Sequence, residues 1–428
     1  MKKLLINGGK KINGTIRVAG AKNAALPLMV ASILTEEKLI LTNVPHVADI
    51  STMANLLVNL GLGFNIDGLD KEDGNMGRVV VLDAANINNP VAPYDLVRRM
   101  RASILILGAL LARFGKAKVS LPGGCAIGTR PVDLHLQALK QMGAEIELIN
   151  GYVEAKVKGR LKGAEINFEK VSVGATENIL MAATLAKGVT VINNAAREPE
   201  VVDLAACLNK MGAKIEGAGT SQIKITGVDK LHQARHNIIA DRIEAGTYAI
   251  AAGITDGNIK MTNVDINLFN GFKDKLEAAG ISIKSVGKEE VEVKRSKKQI
   301  QPVDVSTNPY PGFPTDMQAQ FMSLMTIANG DSKIIENIFE NRFMHILELV
   351  RMGAKIESKG NVALIKGVKK LFGAEVMATD LRASVSLVLA GLVAEGQTVI
   401  NRLYHLERGY ERLAEKLISC GADIKILY

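Results

Sequence analysis

Tryptophan is absent from the 428 residues, and aromatic side chains of all kinds make up only 4%. That scarcity excludes a sugar-stacking lectin surface and an aromatic platform for single-stranded nucleic acid. Cysteine occurs three times, too few and too odd a number for a disulfide framework, and such usage suits a reducing cytosol. The longest apolar runs, 102–112 and 383–394, are bounded by charges and fall short of a membrane span. The opening MKKLLINGGKK holds too brief an apolar stretch for a signal peptide. There is no Walker loop, no GxGxxG after a strand and no CxxC pair, and the six histidines form no metal-binding pair. These absences predict a soluble cytoplasmic protein with no membrane insertion, no metal and no cofactor. They name no protein partner.

What is present is an ordinary globular balance, 47% hydrophobic and 23% charged. The length calls for two domains rather than one core. The net charge of +9 can draw anions from a distance. Its lysines and arginines are spread along the chain without a basic tail, so no nucleic-acid partner is expected.

One phrase recurs six times. MGAEIE (142–147) returns as MGAKIE at 211–216 and 352–357, with weaker copies at 60–66, 278–284 and 420–425. Anchored on Gly61, Gly143, Gly212, Gly280, Gly353 and Gly421, the copies stand at intervals of roughly 70 to 80 residues. Each reads as an amphipathic helix, a glycine where a left-handed cap is wanted, then alternating apolar and polar residues that begin a strand. A second phrase precedes each copy: a helix apolar nearly all round, a turn and a strand, at 22–44, 101–121, 176–193, 244–264, 316–338 and 382–403. Helices of that kind are buried, and those with a polar face lie outside. Six units of strand, buried helix, strand, outer helix and strand pair suit two α/β domains of three units each.

The repeat also aligns the starts of the buried helices: Lys22 with Asn23, Arg101, 172–177, Asp241 with Arg242 and Glu244, Thr315 with Asp316, and Asp380 with Arg382. Helix N-termini that run parallel gather partial positive charge and free N–H groups. Asp316 and Asp380 also suit plain N-caps. Lys22, Arg101 and Arg382 oppose the helix dipole, and a bound anion would resolve that conflict. The loop PGGCAIGTRP (122–131) has three glycines and two prolines and must be irregular. Cys125 sits at its middle, five residues before Arg130, where nearby cations favour a thiolate. A small buried hydrophobe is the other reading of that cysteine.

These residues carry a resemblance. GAKNAALP (20–27), MRAS (100–103), PGGCAIGTRPVDLH (122–135), KVSVGAT (170–176), NAAREPEVVD (194–203), DRIEAGT (241–247), FPTDMQAQF (313–321), FENRFMH (339–345), TDLRAS (379–384) and ERGYER (407–412) together cover the whole chain. The chain resembles the UDP-N-acetylglucosamine 1-carboxyvinyltransferases. The resemblance implies a two-domain inside-out α/β barrel, with one domain at 22–238, the other at 1–21 plus 239–428, and an active site in the cleft between them. It implies transfer of the enolpyruvyl group of phosphoenolpyruvate to the 3'-hydroxyl of UDP-N-acetylglucosamine by addition then elimination, the first committed step of peptidoglycan synthesis.

By resemblance, Lys22, Asn23, Arg130 and Arg408 hold phosphoenolpyruvate, Cys125 is the general acid and Asp316 the base. Asp380 and Arg382 match residues beside the reacting centre. Arg101, Arg130, Pro131, Val132, Asp133, Leu134, Lys170, Ser172, Val173, Asp316 and Ile338 match nucleotide-sugar positions. The Cys125 loop is expected to act as a lid and its thiol to be alkylated by phosphonate epoxides such as fosfomycin. The alternatives are a 5-enolpyruvylshikimate-3-phosphate synthase-like transferase, which would lack the cysteine loop, and a non-catalytic paralogue that binds the nucleotide-sugar. An RNA 3'-phosphate cyclase-like enzyme would need a nucleophilic histidine and a nucleotide site, and neither can be placed.

Overall fold

A computed structural model describes residues 2–69, 77–122 and 132–428. They fall into two compact units. One holds 20–122 and 132–239, the other 2–19 and 240–428. The crossings lie between Ala19 and Gly20 and between Ile239 and Ala240.

Six apolar segments form core helices, three in each unit. In the 20–239 unit they are α1 (Lys22–Ala31), α2 (Ile106–Phe114) and α3 (Val173–Thr184). In the other unit they are α4 (Arg242–Ile254), α5 (Gln318–Met325) and α6 (Leu381–Val393). Every residue of α4 and α5 is buried, which explains why these helices lack a polar stripe. Each leucine or isoleucine withdrawn from water in this way contributes about 1.5–3 kcal/mol.

The helices start by different devices. Asp241 caps α4 by accepting from the amides of Ile243 and Glu244, and Asp380 caps α6 through Arg382 and Ala383. Ser172 accepts from Ala175 at the head of α3. The segments before α2 and α5 wind as 3-10 turns, Arg101–Leu105 and Thr315–Met317. At the first of these the side chain of Asn178 takes over the backbone pairing. Its amide donates to the Ile104 carbonyl at 3.2 Å and its carbonyl accepts from Gly108 N at 2.8 Å. The change from 3-10 to α winding falls at that point. A Cβ on Gly108 would lie 2.3 Å from the Asn178 side-chain oxygen, so only glycine allows the approach.

The described residues form six four-stranded sheets, each with one parallel and two antiparallel pairs. In four of these sheets the edge strand before the core helix pairs in parallel with the strand after it, and in the other two the edge strands that precede α1 and α4 are exchanged. Lys3–Asn7 lies between Gln397–Asn401 and Asp423–Leu427, with Leu4 opposite both Ile400 and Ile426. Asn13–Arg17 runs parallel to Asn258–Thr262, and Ala234–Asn237 parallel to Lys38–Val44. The six repeat glycines all adopt positive φ, from 91° to 104°, the left-handed cap that the repeated phrase predicts. No helix among the described residues is long and apolar enough to cross a membrane.

Candidate active site

In the 20–239 unit, Lys22 opens α1 and is buried. Its ammonium meets Asp49 of the outer helix Ala48–Asn59 at 3.0 Å. A carboxylate of the protein therefore faces this cation, where the sequence suggested a bound anion. Asn23 is exposed. Pro27 lies inside α1 and has no N–H, so the Asn23 carbonyl loses its helical donor.

Arg101 begins its 3-10 turn half-buried. Val132 is buried, Asp133 exposed and Leu134 half-buried at the start of Asp133–Gln141. Lys170 is exposed, and Ser172 and Val173 are half-buried at the head of α3. His135, next in line, is buried and meets the Asn178 amide at 3.0 Å. Burial, reinforced by the charge of Arg101, pushes its imidazole down to about 4. Cys125, Arg130 and Pro131 lie outside the described residues.

The other unit gathers a denser set. Asp316 stands in the 3-10 turn before α5 with its side chain 27% exposed. Arg342 Nη2 reaches its Oδ1 at 2.7 Å, and Arg382 Nη2 reaches its Oδ2 at 2.9 Å. Burial alone would push this carboxyl up, but the two guanidinium groups outweigh it and hold the group well below the usual carboxylate range. Arg382 belongs to α6, and burial disfavours its charge. Asp316 reverses that effect and raises it above the ordinary arginine value. The Arg382 guanidinium lies 5.4 Å over the ring of Tyr410. The Tyr410 hydroxyl pairs with Thr247 at 3.0 Å and accepts from Gln320 at 3.2 Å, and Gln320 also donates to the Asp316 carbonyl at 2.8 Å. Side chains from α4, α5 and α6 thus converge behind one carboxylate.

Asp380 acts as a cap, as a plain helix start would have it. Arg408 is half-buried and ends the 3-10 turn Leu403–Arg408. Ile338 is half-buried, and its amide donates to Glu336 at 2.8 Å.

Three residues of this set escape sequence reasoning. Asp49 and Glu336 carry no local pattern. Arg342 sits inside FENRFMH but not at the start of a core helix. Among the described residues no group of three His, Cys, Asp or Glu is placed to hold a metal ion.

The family model for EPSP synthase (3-phosphoshikimate 1-carboxyvinyltransferase) matches residues 6–417. The chain is 58% identical to the UDP-N-acetylglucosamine 1-carboxyvinyltransferase of Paramagnetospirillum magneticum over 100% of its own length and 99% of the relative's. It is also 58% identical to that of Xanthobacter autotrophicus, over 99% of each chain. Among solved structures, the enolpyruvyl transferase NikO from Streptomyces tendae superposes with a TM-score of 0.88 at 26% identity, covering 100% and 99% of the two chains. An EPSP synthase from Acinetobacter baumannii matches over 100% of both chains with a TM-score of 0.77 at 18% identity, a likeness of fold alone. The fold is the inside-out α/β barrel of these transferases. With identity above half from end to end, the chain belongs to the UDP-N-acetylglucosamine 1-carboxyvinyltransferase family.

Proposed function

We propose that this protein transfers the enolpyruvyl group of phosphoenolpyruvate to the 3'-hydroxyl of UDP-N-acetylglucosamine and releases phosphate, the first committed step of peptidoglycan synthesis. The observation that carries this reading is the full-length 58% identity to relatives named for that reaction. The reaction requires no metal or redox group. The sugar oxygen attacks C2 while C3 gains a proton. Phosphate then leaves C2 as C3 gives a proton back and the double bond re-forms.

The site we propose draws on both units. Lys22, Asn23, Arg130 and Arg408 hold phosphoenolpyruvate. Arg101, 130–134, Lys170, Ser172, Val173 and Ile338 receive the nucleotide-sugar. Cys125 gives the proton to C3, and Asp316 takes the hydroxyl proton, with Asp380 and Arg382 in support. Asp316 is firmly ionised between its two arginines, so it is always ready to accept a proton but is a weak base while both hold it. An anionic substrate that draws on either guanidinium loosens that hold and raises the basicity of the carboxylate. The reaction takes place in the cytoplasm, where both substrates are made.

Phosphate release tests the reading. Purified protein with phosphoenolpyruvate and UDP-N-acetylglucosamine should release phosphate, and shikimate 3-phosphate in place of the nucleotide-sugar should give none. Release only with shikimate 3-phosphate would keep the chemistry and overturn the acceptor. For the general acid, Cys125→Ser should lower kcat by about 10²–10⁴, whereas full activity in that variant would remove Cys125 from the mechanism.

A further inference from the structure

Glu336 follows strand Asp331–Ile335 and is 3% exposed. A carboxylate so deeply buried has to be met by donors. Four reach it. Thr307 Oγ1 donates to Oε1 at 2.8 Å, and the amides of Ile338 and Phe339 donate to the same oxygen at 2.8 and 3.2 Å. Thr315 Oγ1 donates to Oε2 at 2.8 Å. The Thr315 oxygen in turn accepts from Arg342 Nη1 at 3.0 Å, and the other end of that guanidinium grips Asp316. The guanidinium also lies 5.2 Å over the ring of Phe339, whose amide Glu336 holds.

From this geometry we propose that Glu336 is a positioning residue that ties two parts of the reaction together. Through Thr315 it fixes the plane of Arg342 and hence the grip on Asp316. Through its two backbone bonds it fixes the segment carrying Ile338. The inference rests on the functional reading above, which makes Asp316 the base and Ile338 a nucleotide-sugar contact. The two connections leave different oxygens of one carboxylate, so they can be cut separately.

Thr315→Val removes only the hydroxyl and cuts the Arg342 connection. Arg382 still faces Asp316 from the other side, but with Arg342 loosened the carboxyl titrates higher. The acid limb of the kcat–pH profile therefore moves to higher pH. The gain in basicity is outweighed by the loss of the carboxylate's fixed alignment, which should lower kcat about tenfold, with KM for UDP-N-acetylglucosamine unchanged. Thr315→Ser keeps a hydroxyl and restores the wild-type profile. Glu336→Ala cuts both connections, since it removes both acceptor oxygens. It should show the same kcat loss plus a rise in KM for the nucleotide-sugar of about tenfold.

The measurement is steady-state phosphate release against pH for wild type and the three variants, with thermal melting to establish folding. A wild type that turns over while folded Thr315→Val keeps its kcat and acid limb overturns the inference alone. So does a Thr315→Ser variant that matches Thr315→Val. If Glu336→Ala fails to fold, the Thr315 pair still decides. A wild type that releases no phosphate overturns the functional reading and this inference together.

Discussion

The two units place an ion pair at the same point of their repeats and give it opposite polarity. At the head of α1 the core helix supplies the cation, Lys22, and an outer helix supplies one carboxylate, Asp49. Ahead of α5 the core segment supplies the carboxylate, Asp316, and two arginines close on it. In the first one cation meets one carboxylate, and in the second two cations share one carboxylate. The repeat therefore sets where a charged side chain stands, and the individual residues set whether it is countered or over-countered. On the proposed reading, a countered lysine is a structural pair that a substrate anion must compete for. On that same reading, an over-countered aspartate is a reagent held in its ionised form, with guanidinium charge left for a second anion.

The sharpest test of that contrast is Asp316→Asn, which should lower kcat by about 10²–10⁴ if the carboxylate is the base. A variant that loses stability but keeps kcat would make Asp316 a counter-ion like Asp49. On the other side, Asp49→Ala leaves Lys22 buried without that carboxylate and should cost about 3–5 kcal/mol in urea unfolding. A loss within the 0.5 kcal/mol or so of ordinary surface changes would show that the pair is not structural.

The third test concerns His135, whose folded-state pKa lies below its unfolded value. Its contribution is complete above pH 6.5 and is lost as pH falls toward about 4. That difference is worth up to about 3 kcal/mol. Urea midpoints of wild type and His135→Gln should diverge across that window, and parallel slopes would exclude the effect.

The smallest expected effect is a gain. Glu244 is buried in one unit beside Lys416 at 2.7 Å and Tyr248 at 3.0 Å. Glu177 is buried in the other, and there burial, then the charges of Glu200 and Glu198, push its carboxyl well above the usual range. The folded state therefore loses stability as pH rises above 4.5. Glu177→Gln should stabilise the protein at pH 8 by about 1 kcal/mol or more. The gain should fade toward pH 4.5, and a constant gain would point to packing instead.

Much of the architecture was legible because it is written locally and repeatedly. Six glycines after six amphipathic runs predict six left-handed caps, and helices apolar on every side predict burial in a core. The caps Asp241 and Asp380 likewise act on amides two or three residues away. The pairings of the site were not legible. Lys22 and Asp49 are far apart in sequence, as are Asp316 and Arg382, and they lie on different elements. No periodicity links them, and only packing brings them together. Lys22 and Arg382 oppose their helix dipoles, and the carboxylates that face them, Asp49 and Asp316, come from other elements, pairings that the repeat does not mark. Glu336 gave no signal at all, because its partners are two hydroxyls and two backbone amides, groups that sequence patterns do not mark.

The strand Lys3–Asn7 lies in the middle of a sheet whose other members come from the last 60 or so residues of the chain. It is therefore made long before the strands it pairs with. Residues 20–239 are contiguous and can condense while the rest is still being made. The strand Lys3–Asn7 must wait in the meantime, tethered to a folded body, with both of its edges unpaired. During synthesis the vulnerable species is a half-made chain in which this strand is still exposed, and its hazard ends only when Asp423–Leu427 arrives to cover the second edge.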